Sequence, residues 1–221
     1  MKILLHICCG PCAIMPIQRL LQDKHEVTGY FYNPNIHPLA EYLRRCEGAA
    51  ETAARYDLKI IWADPPDDYA LNGWLRTALQ RCDEPEPAEI APPAQDQDDI
   101  PVKLKPRCLF CLELRLKKTC ALACSQDFDA FTSTLLYSRR QPHDFIAHRA
   151  AELAEQGGGA TFYYRDFRPD WRQGIEISKE WKIYRQQYCG CIFSEKERYA
   201  ADLEKIRRLQ KFDGHAPDES T

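Results

Sequence analysis

No run of apolar residues in this 221-residue sequence approaches the length needed to cross a bilayer, about 20 residues for a helix. The apolar opening Ile3 to Ile7 is too short for the hydrophobic region of a secretory signal, and no small-residue cleavage site follows it. A cytosolic protein is therefore expected. A strong charge of either sign is also missing, the formal net value being −3, but the balance is uneven. Cys82 to Asp99 contains seven acids and no Lys or Arg, so the rest of the chain carries +4, rising to +7 without the tail Asp213 to Thr221. A mildly basic body is compatible with a phosphate-rich partner. What the sequence does have is cysteine, 11 in all. In a reducing compartment, an odd number of thiols argues for metal binding or redox chemistry rather than a disulfide framework. The length suits one substantial core, and we expect a single catalytic α/β domain over residues 1–212 with a disordered tail over 213–221.

The chain is organised around its first stretch, Lys2-Ile3-Leu4-Leu5-His6-Ile7-Cys8-Cys9-Gly10-Pro11-Cys12. A short apolar run closed by Gly-Pro predicts a buried strand that delivers three thiols into a turn. Ala13 to Leu21 has helical spacing, with Pro16 expected in the first turn, where its missing N–H costs nothing. A helix N-terminus beside thiols favours thiolate. Glu26 to Tyr32 predicts a second strand, stopped by Asn33-Pro34-Asn35, and Pro38 to Tyr56 a helix burying Leu39, Tyr42, Leu43, Cys46, Ala50 and Ala53. Leu58 to Ala63 and Tyr69 to Gln80 predict another strand and helix. This alternation is the signature of a doubly wound parallel sheet whose ligand site lies off the carboxyl ends of its strands, the edge where Cys9 and Asn33 would sit.

Residues 82–105 are acidic, Pro-rich and aperiodic, which predicts a mobile insertion. A helix is expected from Arg107 to Ser125 with Leu112, Leu116, Cys120 and Ala123 inward, then a strand from Phe128 to Ser138 and a helix from His143 to Gln156 stopped by three glycines. Thr161 to Tyr164 reads as a last strand, Trp171 to Ile183 as a helix, Arg185 to Cys191 as a loop and Glu195 to Phe212 as a closing helix. Cys46, Cys120 and Cys124 fall on helix faces that read as core.

Three cysteine sets have spacings that packing does not require. Cys9-Gly-Pro-Cys12 alone matches the thioredoxin redox tetrapeptide, but a third thiol at Cys8 and the motif's place after the first strand do not. Cys108-x-x-Cys111 at a helix start is half of a metal site. Joined with Cys8 and Cys9 it makes four thiolates, enough for zinc or an iron–sulfur cluster, and the adjacent pair leans toward iron–sulfur. Cys189-Gly-Cys191 closes too small a ring for a structural disulfide, so a labile redox pair or a ligand pair fits better. A thiol–disulfide exchange protein acting through Cys9 and Cys12 and a zinc-stapled interaction domain stand as the alternatives.

Six ordered motifs then carry a resemblance: His6 to Cys12, Tyr32-Asn33-Pro34-Asn35-Ile36-His37-Pro38, Arg107-Cys108-x-x-Cys111-x-Glu113-Leu114-Arg115-Leu116, Phe131 to Leu136, Asp166-Phe167-Arg168, and Tyr184 to Ser194. Together they resemble the cobalamin-independent epoxyqueuosine reductases, the QueH family, with the acidic segment longer than is usual there. The resemblance implies a HUP-type (adenine-nucleotide hydrolase-like, Rossmann-type) α/β domain that reduces epoxyqueuosine to queuosine at the wobble position of tRNA. It implies that Cys8, Cys9, Cys108 and Cys111 hold a [4Fe-4S] cluster and that Cys189 and Cys191 form a redox-active pair. An iron ion beside the cluster is associated with the family, and Cys12, where some members carry Asp, would be a ligand to it. An external electron donor is implied. Tyr32, Asn33, Arg185 and Tyr188 are the candidate substrate contacts, with Tyr184 a further stacking candidate, and Arg44-Arg45, Arg139-Arg140 and Arg165/Arg168/Arg172 are candidate phosphate contacts.

Overall fold

The computed structural model of the chain describes residues 1–63, 71–85 and 105–212. The expected mobile insertion lies outside these residues from 86 to 104, as does the expected tail, 213–221. The element order is β1 (Lys2–His6), α1 (Gly10–Gln22), β2 (Glu26–Phe31), α2 (Leu39–Arg55), β3 (Ile60–Trp62), α3 (Leu71–Gln80), α4 (Pro106–Ser125), β4 (Ala130–Ser133), α5 (His143–Gly157), β5 (Thr161–Phe162), α6 (Trp171–Glu180), α7 (Ile192–Arg198) and α8 (Ala200–Phe212). All five strands run parallel in the order β3-β2-β1-β4-β5. This is the expected α/β Rossmann-type sheet, followed by a helical C-terminal part.

Central position dictates the composition of β1. Flanked by β2 and β4 and covered on both faces, it presents no polar side chain between Lys2 and His6, and Ile3, Leu4, Leu5 and the following Ile7 are wholly buried. The chain returns from β3 to the far side of β1, so the order reverses between β1 and β4. The carboxyl ends of these two strands frame the crevice in which such sheets bind ligands. Cys8 and Cys9 follow β1 there, and Thr134 follows β4.

Four local expectations are corrected. Helix α1 begins at Gly10 rather than Ala13, so Cys12 is in its first turn and Pro16 is interior. Only residues 7–9, bent at Cys8, separate the strand from the helix, and Pro16 deprives the Cys12 carbonyl of its ordinary i+4 donor. Helix α2 turns another face inward: Leu39 and Leu43 are 51% and 52% exposed, whereas Glu41, Arg45, Gly48, Ala49, Thr52 and Ala53 are buried. That face meets backbone, from α1 and from residues 184–190, and backbone selects polar partners. Strand β4 stops at Ser133, whose Oγ accepts from Leu135 N at 3.1 Å and starts a 3-10 turn over Thr134–Tyr137. The closing helix is two helices, broken at Tyr199. Residues 108–123 of α4 need no correction, since Leu112, Leu116, Cys120 and Ala123 are all buried.

Gly10 and Gly48 set how closely α1 and α2 approach. A Cβ on Gly10 would overlap the Gly48 carbonyl and lie 2.9 Å from Thr52 Oγ1. Backbone cannot swing aside as a side chain can, so Gly10→Ala is expected to cost at least the 1–3 kcal/mol typical of overpacking. A fall in the thermal midpoint, with loss of any bound metal held by the adjacent thiols, is the measurable outcome.

Candidate functional site

The end of β1 and the first turn of α1 bring Cys8, Cys9 and Cys12 together, with their sulfurs all within 4.8 Å of one another. Cys8 and Cys9 Sγ are 3.8 Å apart. Four thiolates around one tetrahedral ion at the usual 2.3 Å zinc–sulfur bond would be separated by about 3.8 Å, so this spacing suits a metal. Cys9 is buried and is the residue on which α1 starts. From across the crevice, Thr134 Oγ1 accepts from Cys8 N at 3.1 Å and donates to Cys8 Sγ at 3.3 Å. Hydrogen bonds from Cys12 and Cys9 hold Cys8 well below the usual thiol range. Burial pushes Cys9 up, and the hydrogen bonds to Cys8 and Cys9 push Cys12 up. Three sulfurs in contact thus share one another's hydrogen bonds, and a negative charge among them falls on Cys8 first. Gln186 covers them, with Nε2 donating to Cys9 Sγ at 2.9 Å and reaching Cys12 Sγ at 3.6 Å.

A second thiol group forms where α4 begins. Cys111 and Cys191 are buried in one small cluster with Trp74 and Ala78, flanked by Phe110, Leu114 and Phe193. Burial pushes Cys108 up to about 12, and the nearby Cys189 adds to the shift. Cys189 is exposed, whereas Cys191 accepts from Ser194 N at 3.4 Å and starts α7. Among the described residues, only Cys8, Cys9 and Cys12 form a set of three or more metal-ligating atoms within 4.8 Å of one another. Cys108 and Cys111 lie outside that set, and a buried guanidinium acts on sulfurs of both groups. Arg115, one turn after Cys111 on α4, is 3% exposed, and its charge acts on Cys111, Cys189 and Cys8.

The loop carrying Cys189 and Cys191 is held from α2. Arg45 donates from Nη2 to the Tyr188 carbonyl and from Nη1 to the Cys189 carbonyl, both at 2.9 Å, and from Nε to Glu41 at 2.7 Å. Glu41 also accepts from the Tyr184 hydroxyl. His37 N donates to the Gly190 carbonyl at 2.7 Å, and the Tyr188 hydroxyl donates to the His37 carbonyl at the same distance. Gly190 has φ +123, and a Cβ there would lie 3.0 Å from Arg45 Nη1, so no other residue fits without strain. Arg45 is thus a clamp on the cysteine loop and not a phosphate contact, which corrects the expectation for half of the Arg44-Arg45 pair. The misleading signal is plain: Glu41 and Arg45 are four apart, the spacing of a solvated helix pair.

The other expected contacts are placed as follows. Asn33 is buried and donates from Nδ2 to the Ile7 carbonyl at 2.9 Å, tying the ends of β2 and β1 together. Tyr32 is half-buried and stacks on Tyr30 at 6.0 Å, and Arg185 is exposed. The Tyr188 ring lies under Arg45 at 5.8 Å. Arg44 lies over Tyr184, Arg165 pairs with Asp23, and Arg168 pairs with Asp166 at 2.8 Å. His6 closes the floor of the crevice, its Nε2 donating to the Tyr32 carbonyl at 3.1 Å and its Nδ1 accepting from Ser133 Oγ at 2.9 Å. Burial, helped by the Arg115 charge, lowers it to about 4, so it is neutral at pH 7. Gln186, Thr134, Arg45 and Arg115 were not assigned these roles from sequence. Only Arg115 leaves a legible trace, since Cys108, Cys111 and Arg115 share one face of a helix at spacings of three and four.

Similarity to known proteins agrees with the arrangement. The family model described as "Epoxyqueuosine reductase QueH" matches residues 3–90 and 94–197. Proteins named epoxyqueuosine reductase QueH from Histophilus somni, Dehalococcoides mccartyi and Thermotoga maritima are 35%, 30% and 30% identical to this chain. The matches span 87%, 90% and 96% of this chain and 72%, 94% and 98% of the respective relatives.

Proposed function

The chain belongs to the epoxyqueuosine reductase QueH family, and from that premise we propose that it removes the epoxide oxygen of epoxyqueuosine at the tRNA wobble position, yielding queuosine. It is an oxidoreductase, and its substrate class is tRNA. The observation that carries the reading is the meeting of Cys8, Cys9 and Cys12 at the point where the sheet order reverses, with Cys108, Cys111, Cys189 and Cys191 near one another and the charge of Arg115 acting on Cys8, Cys111 and Cys189 alike. The donors are all sulfur, with Cys9, Cys111 and Cys191 buried, which fits an iron–sulfur group better than a hard cation. When bound, a [4Fe-4S] cluster on Cys8, Cys9, Cys108 and Cys111, with an adjacent iron near Cys12, supplies single electrons and Lewis acidity.

Conversion of the epoxide to an alkene consumes two electrons and two protons and releases water. Cys189 and Cys191 match that stoichiometry, because closing their disulfide gives up two electrons and two protons. Exposure of Cys189 lets an external electron donor reopen it. Arg45 keeps the pair on its loop, and Gln186 covers the thiols at 9 and 12. An anticodon-loop base is already unpaired and enters a site at little unstacking cost. Tyr32, Tyr184 and Tyr188 offer it aromatic faces, Arg185 an exposed charge for phosphate, and Asn33 holds the floor against the end of β1. No described helix is long and apolar enough to cross a membrane, and a tRNA substrate accords with a cytoplasmic enzyme acting through one catalytic domain over residues 1–212.

Anaerobically purified protein is expected to be brown, to contain iron and sulfide, and to reduce epoxyqueuosine in tRNA. Colourless protein with stoichiometric zinc supports an interaction domain, and metal-free protein that reduces disulfides supports thiol exchange through Cys9 and Cys12. Cys189→Ser is expected to keep the colour but slow turnover with the physiological donor by about tenfold or more, a barrier change of about 1.4 kcal/mol. Unchanged turnover with that donor removes the relay.

A further inference from the structure

Two arginines are buried to the same degree, Arg45 and Arg115, each 3% exposed. They differ in their counter-ion. Arg45 pairs with Glu41 at 2.7 Å, also buried. Arg115 forms no ion pair with a carboxylate among the described residues, and its Nε donates to the Cys111 carbonyl at 3.2 Å. The groups its charge acts on are sulfurs from three separate segments: Cys8 after β1, Cys111 in α4 and Cys189 in the C-terminal loop. A guanidinium cannot shed its proton, so burial without an anion carries the full cost of desolvation. Neutral thiols supply lone pairs but no charge. Negative charge on these sulfurs is what the position demands, and thiolates bound to a metal carry it without being lost to protonation.

We infer that Arg115 is the resident counter-charge of the sulfur site, stabilising the net negative charge of a thiolate-bound metal centre and setting its reduction potential. The inference rests on the proposed function for the identity of the metal, though not for the charge argument. Four thiolates outweigh a divalent ion, and they leave an iron–sulfur cube negative as well. Adding an electron increases that charge, so a fixed cation in the same buried volume favours the reduced form. Arg115 would act through the centre, as a positioning residue and not a catalytic one.

The test compares the full chain with Arg115→Met and Arg115→Lys, all purified anaerobically. In a spectroelectrochemical titration, R115M should shift the reduction equilibrium at least tenfold toward the oxidised form, about 59 mV lower for a one-electron couple, while R115K stays within threefold of wild type. Independently of iron, the reduced, metal-free chains are titrated with zinc against a chromophoric chelator. R115M should bind at least tenfold more weakly, and R115K nearly as tightly as wild type. Should R115M fail to fold, Arg115→Gln, which keeps a donor for the Cys111 carbonyl, serves the same comparison. A wild-type value for the neutral variant in either measurement overturns the inference. If wild type reduces epoxyqueuosine while the neutral variant matches it in both, only the counter-charge falls. If wild type takes up zinc with the expected dependence on residue 115 but never holds iron, the zinc arm decides, so the counter-charge stands and the proposed function falls. A wild-type chain that binds neither metal sinks both.

Discussion

Cys108→Ala yields colourless protein from an anaerobic preparation, with epoxide reduction down by more than about 100-fold. Loss of a partner behind a metal ligand already costs 10–100-fold, and loss of a ligand costs more. The thiol sits in the first turn of α4, in a region where burial pushes it up to about 12. An unligated thiol with that environment stays protonated at pH 7, so it attacks nothing unaided; bound to a metal it is held as thiolate. Iron content, visible absorption and single-turnover reduction are measured together. Retained iron with retained activity shows that Cys108 is no ligand, and retained iron with lost activity moves it from the cluster to the redox relay beside Cys189 and Cys191.

Arg45→Met is expected to destabilise the protein by about 3–5 kcal/mol, because Glu41 is left in the interior without its counter-ion. In a chain of this size that lowers the thermal midpoint by roughly 10 °C. Stability is only half of the effect, since the Tyr188 and Cys189 carbonyls lose their donors at the same time. The double variant Glu41→Gln/Arg45→Met separates the two. With no stranded carboxylate it should regain most of the stability while keeping the loop untethered, so turnover through Cys189 remains slow. Denaturant midpoints and donor-dependent turnover, measured on wild type and both variants, resolve the contributions. Full recovery of turnover in the double variant would show that the clamp serves folding alone.

Which parts of this arrangement were legible in the sequence follows from the range of the forces involved. Alternating strands and helices, the buried run of β1, and the inward residues of α4 at 112, 116, 120 and 123 are set by local period and composition, and they match the structure. The thiols at 8, 9 and 12 were legible as a group because they are neighbours in the chain, where β1 passes into the first turn of α1. Helix α2 misled because its partner surface is backbone: Leu39 and Leu43 stay in solvent while Glu41, Arg45 and Thr52 turn inward. No periodicity of apolar residues reports a polar interface. The end of β4 misled because Thr132-Ser133-Thr134 has strand composition, whereas the Ser133 hydroxyl captures the Leu135 N–H and turns the chain.

The sequence by itself determined the parallel α/β class, the delivery of sulfur to the end of the first strand, and a composition with more thiols than packing requires. Each of these is written in neighbouring residues, where backbone period and side-chain chemistry act directly. Tertiary structure alone decided that Thr134 and Gln186 close on the first thiols, that Arg45 grips the loop of Cys189, and that the charge of Arg115 reaches sulfurs of both groups with no carboxylate of its own among the described residues. Those pairings join residues far apart in the chain, and a charge acquires its meaning only when folding removes the water around it.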